Sequence, residues 1–138
     1  MIGLDTNVLA RYYVEDAADP QAAKQRLAAR RLIESGQALM VCKTVVLELE
    51  WVLRGYYGFE PAEVAAVLGH LLSMAHVAVE DRAAVERALQ NLQAGLDFAD
   101  ALHHASYAAC ERVASFDDRK FARRAGKLGL LPAVVIPR

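Results

Sequence analysis

Cysteine is scarce: Cys42 and Cys110 are the only two in 138 residues. They form no CxxC pair and stand at no zinc-ligand spacing to a histidine, which excludes a disulfide framework and a structural zinc site. Both read as buried free thiols of a reducing compartment. No apolar run is long enough to span a bilayer, so no membrane association is expected. The net charge is −1, so the global basic field of many nucleic-acid binders is missing and any such contact must come from local clustering. Low-complexity linkers and internal repeats are also lacking. The strand-like run that starts at Ile2 leaves no signal peptide ahead of it, and the expected location is the cytoplasm.

What is present is apolar content, 55% of the chain, enough for a core in a single domain covering 1–138. Short apolar runs at 2–4, 38–42, 77–79, 113–116 and 133–136 read as strands. Between them lie helical stretches: from Val8; from Asp19-Pro20 to Gly36, with proline at the first helical position; from Lys43 to about Tyr56; from Pro61 through Leu72; from Glu80-Asp81 to Gly95; from Asp97 to about Glu111; and from Arg119 to Lys127. This alternation predicts an α/β fold with a mostly parallel sheet covered on both sides.

Carboxylates stand out against this background. Asp5 falls where the first strand should end, the edge at which open α/β sheets bind ligands. It can cap the following helix or serve a site. On the helix beginning at Lys43, Val45, Leu49, Val52 and Tyr56 make an apolar stripe, and Glu48 lies on it; a carboxylate on a buried face is costly unless paired or metal-bound. Glu50 stands four residues before Arg54 and reads as half of a solvated ion pair. Asp97 and Asp100 open a helix, where the dipole stabilises acids with no ligand involved. Asp100 can also pair with His103 or His104. Ser115-Phe116-Asp117-Asp118 repeats the acid-after-strand arrangement; position assigns the site role to Asp117 and the helix cap to Asp118.

Leu4-Asp5-Thr6-Asn7, the run from Val46 to Leu53, Asp97-Phe98-Ala99-Asp100 and Ser115-Phe116-Asp117 occur in the order of the PIN-domain ribonucleases. Over essentially its whole length the chain resembles the VapC-type toxins of toxin–antitoxin pairs. The resemblance implies a three-layer α/β/α PIN-like domain around a central sheet of four to five strands. It also implies an active site of Asp5, Glu48, Asp100 and Asp117, with Asp97 as an additional acid and Thr6, Asn7, Ser115 and Asp118 in support. Hard oxygen ligands of this kind select Mg²⁺ or Mn²⁺. The implied reaction is hydrolysis of RNA phosphodiester bonds. The implied partners are a second copy of the chain and a VapB-like antitoxin, with the helices at 44–56 and 61–73 as its groove.

RNA needs cations as well. Arg119, Lys120, Arg123, Arg124 and Lys127 form a basic run without acids, a solvated helix face in most settings but a set of backbone contacts beside a site that receives phosphate. Arg11 and Arg54 are weaker candidates. Trp51, Tyr56 and Tyr57 can stack bases, although aromatics beside Leu53 are more often core or interface. The four histidines show no ligand spacing and read as packing or surface residues. Competing functions are a PIN-type nuclease of RNA processing or structured DNA, and a non-catalytic binding module on the same fold. A haloacid-dehalogenase-type phosphatase is disfavoured, since Asn7 stands where its second aspartate would be.

Overall fold

The computed structural model describes all residues from Met1 to Arg138. Seven α-helices and five short strands alternate along it, and every strand pair is parallel. The chain forms two compact units, Met1–Arg82 and Ala83–Arg138.

The first unit holds a three-stranded sheet of β1 (Ile2–Gly3), β2 (Leu39–Val41) and β3 (Val77–Val79), in that spatial order. The pairing is in register at Ile2–Leu39 and Leu39–Val77. Parallel neighbours need crossovers, supplied here by helices: α1 (Thr6–Tyr13) and α2 (Ala22–Ile33) join β1 to β2, and α3 (Lys43–Trp51) and α4 (Pro61–Ser73) join β2 to β3. Leu9, Ile33, Leu39, Val41, Val46, Leu49, Leu53 and Leu68 are fully buried. The first strand differs from expectation in that Ile2 is exposed and only Leu4, just beyond the strand, is buried.

Helix α3 runs into a single π-helical turn, Val52–Tyr56, and its phase departs from the sequence reading. The buried residues are Val46, Leu49, Glu50 and Leu53, whereas Val45 and Val52 are half-buried and Tyr56 is exposed. Two apolar stripes overlap on this helix, and periodicity cannot choose between them. α4 starts at a proline, with the Glu63 side chain accepting from the Glu60 backbone N–H at 2.9 Å, a reciprocal cap readable from sequence. Its apolar face is turned inward through Val64, Leu68 and Leu71. The turns after β2 and β3 are tied together, since Glu80 accepts from the Lys43 backbone N–H at 2.7 Å and Asp81 pairs with Lys43 Nζ at 2.9 Å.

The second unit contains α5 (Arg82–Gln93, which begins on the last residue of the first unit), α6 (Phe98–Ser106), and a two-stranded parallel sheet of β4 (Arg112–Ala114) and β5 (Ala133–Val135). Between these strands lie a π-helical turn at Asp118–Ala122 and α7 (Arg123–Lys127). Phe98, Leu102, Val113, Phe121 and Ala125 are buried. So is His104, whose Nε2 bonds to the Pro132 carbonyl at 2.8 Å, a packing role as expected for the histidines. α6 stops at Ser106 rather than near Glu111: Cys110 N–H bonds to the Tyr107 carbonyl at 2.8 Å, forming a turn, and the connection to β4 overrides alanine's helical preference. The cysteines also depart from expectation. Both are free, but Cys110 is exposed and Cys42 only half-buried.

Candidate active site

Asp5 stands two residues beyond the end of β1, and its carboxylate accepts from the Thr6 N–H at 2.8 Å. It is the N-cap of α1 and at the same time lines a cavity of about 540 Å³. The capping reading is met, and capping uses one lone pair and leaves the rest of the carboxylate open to the cavity. Glu48, on α3, opens onto the same cavity. The hydroxyl of buried Thr6 donates to the Glu48 carboxylate and orients it.

The two glutamates of α3 exchange the environments expected of them. Glu48 is exposed to the cavity, and Glu50 is buried at 3% exposure. Glu50 does pair with Arg54, at 2.8 Å, but as the buried member of the pair. A glutamate on the core side of an amphipathic helix is tolerable because a cation one turn later reaches it.

Asn7 also lines the cavity, as do Arg11, Asp16, Asp19, Gln25, Trp51 and Tyr56. Arg11 pairs with Asp16 at 3.6 Å and with Asp19, and its Nε donates to Gln25 Oε1 at 2.8 Å. These contacts largely use up the guanidinium that sequence offered as a phosphate contact. Asp16 and Asp19 were missed as cavity acids. They sit in the irregular connection between α1 and α2, where no periodicity marks them.

In the second unit Asp97 caps α6, accepting from the Asp100 N–H at 3.4 Å. The Asp100 carboxyl is held above its ordinary range, first by burial and then by the charges of Asp97 and Asp117; His103 and Arg124 act in the opposite sense. Asp97, Asp100 and Asp117 are thus near enough to repel, while the helix-surface attraction to His103 is present but smaller. The helix cap expected of Asp118 falls instead to Asp117, whose Oδ1 accepts from the Lys120 N–H at 3.0 Å. Ser115 supports this turn by accepting from the Asp117 N–H at 3.1 Å. Asp118 occupies the first turn of the π-helical segment. Arg119, Lys120, Arg123, Arg124 and Lys127 are all exposed, and none has a carboxylate within ion-pair distance.

Within neither unit do three Asp, Glu, His or Cys side chains gather closely enough to hold an ion by themselves. The donor chemistry nevertheless fits a divalent cation. Asp5 and Glu48 offer anionic oxygens to one cavity, and the repulsion felt by Asp100 is of the kind a hard cation relieves.

Parallel strands with the carboxylates of Asp5 and Asp117 just beyond their ends define an α/β protein with acids at the edge where open sheets bind ligands. The family model of the PIN domain matches residues 2–127, and the chain belongs to that family. PIN domains are typically nucleases that use divalent metal ions, usually Mg²⁺, and the substrate class is nucleic acid. No curated protein gives a significant match to the chain. No helix is long and apolar enough to cross a membrane.

Proposed function

We propose that this protein is a Mg²⁺- or Mn²⁺-dependent endoribonuclease and the toxin of a VapC-type toxin–antitoxin pair. In this reading both compact units form a single PIN domain, and Asp5, Glu48, Asp100 and Asp117 serve one hydrolytic reaction. The observation that carries it is the Asp5–Thr6–Glu48 arrangement on a cavity of about 540 Å³. There an otherwise ordinary helix cap and a helix-borne glutamate are oriented together without a cation of the protein to neutralise either.

Asp5 and Asp100 are the principal ligands, with Glu48, Asp117 and Asp97 completing the set. When bound, the metal ion would polarise a phosphate oxygen and acidify the attacking water. The chain's own part is positional. Thr6 holds Glu48 in one rotamer, the α1 amide holds Asp5, and Ser115 with the Lys120 amide holds Asp117. Exposed Arg119, Lys120, Arg123, Arg124 and Lys127 take the RNA backbone. A homodimer, a VapB-like antitoxin and a cytoplasmic setting belong to the same proposal. Incubating the protein with total RNA in Mg²⁺, in EDTA, and as the Asp5→Asn variant tests it. Metal-dependent internal cuts lost in the variant are expected; cuts unaffected by both EDTA and the substitution would overturn the assignment.

A further inference from the structure

We propose that Trp51 and Tyr56 form a stacking subsite for one unpaired nucleobase of the substrate strand, beside the Asp5 and Glu48 carboxylates; this deepens the nuclease reading above and rests on it. Both rings are open to solvent, Trp51 at 60% and Tyr56 at 74% exposure, although sequence ranked base stacking behind a core or interface place. Both line the cavity that contains Asp5 and Glu48.

The backbone explains how they reach it. Trp51 lies three residues after Glu48, on the same helical side. Its indole rests on Gly55, where an added Cβ would lie 3.7 Å from Cε2. The π-helical turn then bonds Tyr57 N–H to the Val52 carbonyl at 3.2 Å. This i→i+5 winding brings the fifth residue closer to the side of the first, and Tyr56 follows Trp51 onto the cavity wall. Tyr56 is braced edge-to-face by Tyr57, with centroids 4.8 Å apart, and the Tyr57 hydroxyl donates to Asp16 at 3.3 Å.

The chemistry selects a base over other occupants. Arg11 is already matched by Asp16 and Asp19, so the side chains of this cavity offer no spare positive charge with which to attract a polyanion. Stacking on a neutral π-face supplies affinity that charge here does not. The amides of Asn7 and Gln25 add donors and acceptors suited to base edges. An apolar peptide segment would instead have to bury its surface against Asp5 and Glu48. A duplex keeps its base faces stacked internally, so the subsite requires a single strand.

Trp51 is the only tryptophan, which makes its emission a direct report. The full chain in EDTA, where no turnover occurs, is titrated with a single-stranded RNA octamer, its duplex, an abasic strand of equal length, and an apolar peptide. Quenching by the single strand alone is expected. In anisotropy with a labelled octamer, Trp51→Ala should weaken binding on the order of 10-fold and Trp51→Phe much less. Equal quenching by the abasic strand, binding without quenching, or an emission shift produced only by the peptide would each overturn the subsite. Base-dependent quenching in a protein that cuts no RNA with Mg²⁺ would uphold the stacking site and remove the nuclease reading. Cleavage without such quenching would do the reverse.

Discussion

The Thr6 hydroxyl donates to the carboxylate of Glu48, a residue 42 positions further along the chain. Thr6 is buried at the start of α1 while Glu48 faces the cavity from α3, so one hydroxyl couples the two helices at the acidic site. Thr6→Val keeps the shape and deletes the donor. Cleavage should fall about 10- to 100-fold, mostly in kcat, with Thr6→Ser restoring most of it. The stability cost should be about 0.5–1.5 kcal/mol, since water can satisfy the exposed Glu48 carboxylate. Steady-state kinetics and urea melts on the three proteins check this.

Asp5 performs two duties that can be separated. Asparagine caps helices as well as aspartate does, so Asp5→Asn should remove cleavage while changing stability by only a few tenths of a kcal/mol. Asp5→Ala should remove cleavage and also cost about 1 kcal/mol. Equal destabilisation by both substitutions would show that the cap is not what Asp5 contributes to the fold.

Glu50 is buried against a half-exposed Arg54. Arg54→Ala strands the carboxylate and should cost about 1–3 kcal/mol, less than a fully buried pair because the arginine is partly solvated. Glu48→Gln, on the cavity side of the same helix, keeps an acceptor for the Thr6 hydroxyl and should cost under about 0.5 kcal/mol. Denaturant midpoints decide the order, and a reversed order would contradict the phase of α3.

The raised Asp100 carboxyl, caused by burial and by Asp97 and Asp117, has a pH consequence. A carboxyl held above its unfolded value favours the folded state while protonated, and this contribution disappears as pH rises through the folded value. Asp100→Asn should therefore raise the melting temperature at pH 7 in EDTA by a few degrees, with the gain shrinking towards pH 4. Mg²⁺ should stabilise the parent protein more than the variant. Thermal melts across pH, with and without Mg²⁺, test the sign.

The basic face has no carboxylate within ion-pair distance. Reversing Arg123 and Arg124 together should weaken RNA binding and make its salt dependence shallower by about 0.7 in log–log slope for each lost phosphate contact on a single strand. An unchanged slope would move the backbone contacts elsewhere.

All five strands and the order of the helices could be read from the chain, because short apolar runs punctuated by Asp-Pro, Glu-Pro and glycine are local signals. The positions of Asp5 and Asp117 just beyond strands were legible for the same reason. Local pattern could not decide phase. Val45 and Val46 are equally apolar, and only tertiary packing, with α3 against α1, placed Val46, Leu49 and Leu53 inside, burying Glu50 and sending Glu48 to the cavity. Nor could it divide capping between Asp117 and Asp118, which depends on where the π-helical turn begins. The exposed Trp51–Tyr56 wall was likewise decided by tertiary structure, because an aromatic side chain carries no mark of which surface it will meet until the helix beneath it has chosen a face.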